Sequence, residues 1–96
     1  MKRKVKSQIT WALPKDGGRE YVLPIGMRYC PIIVFIGKQD SDSLWSAEIY
    51  NTSIDDRVSI AELSYLVDAA PDYLLHTGNE FLLYEGQSVV AKGVVL

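Results

Sequence analysis

The sequence predicts an all-β protein, a single antiparallel β-barrel of six or seven strands, and three observations carry that expectation. Apolar and polar residues alternate with a period of two in several short runs. Gly, Pro and Asp punctuate the chain between those runs, as turns between strands require. The final run, "SVVAKGVVL", is apolar on both faces with Lys92 as its only charge, which suits a strand inside a sheet with neighbours on both edges. Closing a barrel supplies such pairing and removes exposed edges.

The first strand is read from "KVKSQITWALP", where Val5, Ile9, Trp11 and Leu13 share one parity and Lys4, Lys6, Gln8 and Thr10 take the other. Pro14 ends it, and Asp16-Gly17-Gly18 supplies the positive φ angles of a tight reversal into a second short run, "YVLP". Gly26 breaks the chain again. "CPIIVFIG" then reads as a strand buried on both faces, with Pro31 at its start where no ladder hydrogen bond is lost. "KQDSDS" is a polar loop. "LWSAEIY" alternates, placing Trp45, Ala47 and Ile49 on one face, and "NTSIDD" has the composition of a loop because its side chains compete for backbone hydrogen bonds.

Residues 57–75 admit two readings. Leu63, Leu66, Val67 and Ala70 lie at helical spacing, and Ser59 with Glu62 matches a capping box. Equally, Val58 and Ile60 alternate, and Ala61, Leu63, Tyr65 and Val67 continue on the other parity, as in a strand with one bulge. A short helical turn near 71–76 follows from Pro71 ahead of it and Gly78 behind it. Two apolar runs around Glu85-Gly86-Gln87 then form a closing hairpin.

Ninety-six residues make one domain spanning 1–96, with 48% hydrophobic and 23% charged residues and a formal net charge of −2. That composition is globular and gives no general attraction to nucleic acid. Cys30 is the single cysteine, so packing alone must hold the fold, which suits a reducing, cytoplasmic setting. The basic opening has no apolar stretch of a secretory signal, and no 18-residue apolar run exists to span a membrane. Lys2, Arg3, Lys4 and Lys6 crowd the start, whereas Asp40, Asp42, Asp55, Asp56, Asp68 and Asp72 populate the middle. A basic arm could meet phosphate, but a solvated terminus beside an edge strand protected by lysines is the simpler reading.

The order of the short motifs carries a family resemblance. After the first strand come Gly17-Gly18-Arg19-Glu20, then Tyr29-Cys30-Pro31-Ile32-Ile33-Val34-Phe35, and near the end Gly78-Asn79-Glu80-Phe81 and Glu85-Gly86-Gln87-Ser88 through Val95. The chain resembles the C-terminal β-barrel domain of elongation factor Tu, whose pattern runs "GGRH", "YRPQFYF" and "GLRFAIREGGRTVGAGVV". Agreement is best at the two ends and weakest between Lys38 and Thr77. The resemblance implies a barrel strand across 57–67. It also implies a binding platform that touches tRNA through two loops, matching here Gly17, Gly18, Arg19 and Glu20, and Glu85, Gly86, Gln87 and Ser88. Three matched positions lose a histidine or an arginine, to Glu20, Ser88 and Cys30, which weakens any phosphate recognition. Arg28 beside Cys30 could compensate.

Catalytic candidates are thin. The chain has no G-x-x-x-x-G-K-[ST] phosphate loop, so no nucleotide is expected. His76 is the only histidine and has no second ligand at metal-site spacing; Cys30 next to Pro31 suits a small core residue. Asp55-Asp56 and Asp40/Asp42 could serve acid–base chemistry or a cation, but such loops are usually solvated, and "DSDS" lacks the glycine and bidentate glutamate of a calcium loop. Six tyrosines and two tryptophans either cap the barrel or present amphipathic rings to a partner. The expectation is a binding module without enzymatic activity, cofactor or metal. It would engage a protein, for instance as an inhibitor or immunity-type protein whose acidic middle suits a basic nuclease. The alternative is a tRNA-like RNA, bound through Gly17, Gly18, Arg19, Arg28, Glu85 and Gly86.

Overall fold

A computed structural model describes residues 3–38 and 44–96; Lys2, Asp40, Asp42 and the "DSDS" stretch lie outside the described residues. Seven strands follow in order: β1 (Val5–Trp11), β2 (Arg28–Tyr29), β3 (Ile32–Phe35), β4 (Trp45–Asp55), β5 (Val58–Tyr65), β6 (Glu80–Glu85) and β7 (Ser88–Val95). Every pairing is antiparallel, and six strands close a ring in the order β4-β3-β6-β7-β1-β5, with β5 returning to β4. The seventh, β2, lies on β4 on the same edge as β3. It keeps the β3 register, since Tyr29 faces Ile49 and Ile32 faces Ser46. Cys30 and Pro31 interrupt what is otherwise one strand: Pro31 has no N–H to donate, yet its carbonyl accepts from Ala47 N at 2.8 Å.

The barrel interior follows from the period of two. Ile9 and Trp11 of β1, Ala61, Leu63 and Tyr65 of β5, and Phe81 and Leu83 of β6 are all buried, and Phe35 packs tilted against Phe81 at 5.6 Å and Tyr65 at 6.5 Å. Leu74 and Leu75 join this core from a short 3-10 turn at Asp72–Leu74, the helical turn expected near 71–76. β7 has β6 on one side and β1 on the other, so both of its edges are paired, as expected of the strand that closes the barrel.

Several expectations are corrected. β5 is a strand, so the helical reading of 57–69 fails; its interior parity runs unbroken through Ser59, Ala61, Leu63 and Tyr65. The bulge falls in its partner, where Thr52 is the extra residue between Asn51, opposite Ala61, and Ser53, opposite Ile60. "NTSIDD" is therefore mostly strand, and the turn is confined to Asp56 and Arg57, with Asp56 at φ +58°. "YVLP" is irregular rather than extended pairing. β1 is interior, not an edge, because it pairs with both β5 and β7. β3 is buried on one face only: Ile33 and Phe35 point inward while Val34 is exposed. Leu13, expected on the buried parity, is exposed beyond the end of β1. No helix among the described residues is long and apolar enough to cross a membrane.

Candidate binding site at one end of the barrel

Three connections meet at one barrel end: the long β1–β2 loop, the Asp56-Arg57 turn and the Gly86-Gln87 turn. This end gathers five of the six residues singled out in the sequence: Gly17, Gly18, Arg19, Glu85 and Gly86. Pro14–Asp16 form a 3-10 turn that ends at Gly17, with φ +93°. Gly18 has no positive φ and is needed for another reason. A Cβ built there would lie 1.9 Å from the Ala12 carbonyl oxygen, so only glycine lets the loop fold back on the end of β1. Gly17 in turn sits beside Ser88 at the start of β7, which brings the two expected loops together.

The sixth residue, Arg28, points to the outside of the barrel and donates from Nε to Glu48 Oε2 at 2.7 Å across β2 and β4. Its neighbour Tyr29 faces the other way, as strand alternation demands. There it packs against Trp11 with ring centroids 5.7 Å apart, and its hydroxyl donates to Glu85. Arg19 completes the cluster, donating to Glu85 Oε2 at 2.7 Å while its guanidinium lies 5.4 Å from the Tyr29 ring centroid. Burial disfavours the ionised Glu85 carboxyl, but the Tyr29 and Arg19 hydrogen bonds and the Arg19 charge outweigh it, holding its pKa below the usual value. Burial, and then the Glu85 contact, pushes the Tyr29 hydroxyl pKa up, so it stays a donor. The hydrogen bond to Glu85 raises the Arg19 pKa further.

A second set of contacts, entirely buried at its centre, fixes the rest of the loop. Trp11 Nε1 donates to Ser59 Oγ at 2.8 Å, and Ser59 Oγ donates to Asn51 Oδ1 at 2.8 Å. Asn51 Nδ2 donates to the Leu23 carbonyl at 2.9 Å. Gly26 N reaches the Asn51 carbonyl at 3.0 Å, and Arg57 donates to the carbonyls of Arg19 and Glu20 at 3.0 and 3.2 Å. An irregular loop thus has its polar groups satisfied at many points, which is why it holds one shape without pairing as a strand.

What this scaffold presents is apolar. Tyr21, Ile25 and Met27 are exposed by 76%, 63% and 50%. Beside them an open groove of about 670 Å³ is lined by Arg19, Glu20, Tyr21, Val22, Leu23, Pro24, Met27 and Glu85. The surrounding exposed charge is mainly acidic: Asp16, Glu20, Asp55 and Asp56 are exposed against Lys15, whereas Arg19 and Arg28 are each paired with a carboxylate and Arg57 is taken up by backbone carbonyls. Among the described residues no group of three or more His, Cys, Asp or Glu side chains could hold a metal.

Sequence reasoning reached the glycines, Arg19 and Glu85 through the family resemblance. It missed Tyr29, Trp11, Ser59, Asn51 and Arg57 as parts of the site, and the exposed apolar side chains of the β1–β2 loop. One signal was available for the latter: "YVLPIGM" holds five apolar side chains between breakers with no strict alternation, the mark of a segment whose apolar groups are not all sorted to one buried face. His76 and Cys30 take no part; His76 is exposed at the opposite end, and Cys30 is half-buried between β2 and β3. No protein-family model, curated protein or solved structure matches the chain.

Proposed function

We propose that this barrel is a non-enzymatic protein-binding module that docks its partner on the end carrying the β1–β2 loop. The observation that carries the reading is a loop clamped by Glu85, Asn51 and Arg57 that nonetheless exposes Tyr21, Ile25 and Met27. Aromatic and methionine anchors on a pre-organised support lose little entropy on binding, which is the economy of an interface hot spot. Their acidic surroundings favour a partner with a basic surface. An inhibitor or immunity-type protein that masks a basic nuclease has this chemistry. The order of the glycine, proline and hairpin motifs supports reading the scaffold as the elongation-factor-Tu C-terminal type of barrel, working without a GTPase domain. The single cysteine supports a cytoplasmic setting.

RNA binding is the weaker reading, because the two arginines it would use are paired with Glu85 and Glu48. The two are separated by affinity capture from native lysate alongside a tRNA titration across salt. The protein reading expects one stoichiometric partner, lost with Tyr21→Ala plus Met27→Ala, and no tRNA binding at low salt. Binding of tRNA that falls steeply with salt and disappears with Arg19→Ala plus Arg28→Ala would replace this reading with the RNA one.

A further inference from the structure

The outer wall formed by β3 and β6 is apolar and carries exposed side chains, Val34 at 38% and Ile36 at 44%. Ile32 lies opposite Tyr84 and Val34 opposite Leu82, and because directly paired residues share a face, all four point outward with Val34. Ile36 extends the row, its N–H bonded to the Glu80 carbonyl at 2.9 Å, and is 44% exposed. The margin toward β7 carries one charge of each sign. Lys92 lies opposite Leu82, Glu80 lies opposite Val94, both are exposed, and no ion pair joins them to each other or to another described residue.

We propose that this wall packs against the same wall of a second copy of the chain about a two-fold axis, with Glu80 of each copy meeting Lys92 of the other. A two-fold interface must be complementary to itself. An apolar row flanked by one unpaired cation and one unpaired anion meets that condition, since the rotation brings each charge onto its opposite. A uniformly basic or acidic partner would instead meet a like charge at one of the two positions. The contact is face to face because the apolar row lies on the outer face of the wall, and β6 has both edges paired while β3 pairs with β6 along its length and with β4 at Ile32 and Ile33. The wall is distinct from the loop-bearing end, so a dimer leaves that end open.

Sedimentation velocity from about 1 µM to about 1 mM tests this, with circular dichroism confirming that each variant is folded. The mass is expected to rise from 10.8 kDa toward twice that value with concentration, and Val34→Glu is expected to abolish the rise. Glu80→Lys alone and Lys92→Glu alone should each weaken association about tenfold, because each places like charges in contact twice. Mixing the two variants should restore it, since both contacts become attractive. A wild-type chain that is monomeric throughout, a dimer indifferent to Val34→Glu, or a mixture no better than either variant alone overturns the proposal. So does a chain that stays monomeric but shields this wall when it binds a different protein.

Discussion

Replacing Ser59 with alanine removes one buried hydroxyl from the barrel interior near its loop-bearing end and leaves two buried groups without partners. Ser59 Oγ accepts from Trp11 Nε1 and donates to Asn51 Oδ1, both at 2.8 Å, and all three residues are no more than 3% exposed. Each orphaned buried group costs about 1–3 kcal/mol, and the void left is too small to add much, so the expected loss for the two is about 2–6 kcal/mol. In a domain of this size that corresponds to a fall in Tm of about 10–30 °C. Urea unfolding followed by tryptophan fluorescence measures it, and an unchanged m-value assigns the loss to the folded state's interactions. Thr52→Ala, which removes an exposed hydrogen bond to the Ile60 carbonyl, is the control and should cost under about 1 kcal/mol. A Ser59→Ala loss no larger than that of the control would refute the claim that the Trp11–Ser59–Asn51 chain ties the barrel to its loop.

Two further outcomes follow from the geometry. The lowered Glu85 pKa means that its contribution is fully present above the unfolded glutamate value of about 4.3 and is lost as pH falls through the lower folded-state value. Glu85→Gln should therefore be less stable than wild type at neutral pH, by about 1 kcal/mol given that Arg19 and Glu85 are 38% and 39% exposed, and the two should converge in acid; denaturant midpoints measured across pH check this. A Cβ on Gly93 would lie 2.4 Å from Phe81 Cζ, so Gly93→Ala is expected to cost about 1–3 kcal/mol, with much of the loss recovered when Phe81→Leu is added; a double-mutant cycle in urea reads the coupling.

Legibility in the sequence tracks how cleanly each strand separates an inner face from an outer one. The alternating core of β1 and the β6–β7 hairpin around a short turn do so, and the sequence places both as strands. The far half of β4 reads as loop because its interior position is Asn51, a polar side chain that belongs inside only because Ser59 and the Leu23 carbonyl are there to bond it. Neither partner is local. β3 misled in the opposite way: Ile32, Val34 and Ile36 read as buried on a second face, and the barrel leaves that face on the outside. At the candidate site, Arg19 and Glu85 were visible as motif residues, but their contact spans 66 positions and the Trp11–Ser59 bond spans 48, so no local pattern could join them.

The central claim, that the loop-bearing end is where a protein partner docks, is tested most directly by hydrogen exchange on the chain with and without its captured partner. The account predicts new amide protection in residues 19–27 and 85–87, and none in the connection 66–79 at the opposite end. Protection confined to 66–79, or to the β3–β6 wall, with the loop exchanging as in the free chain, would contradict it.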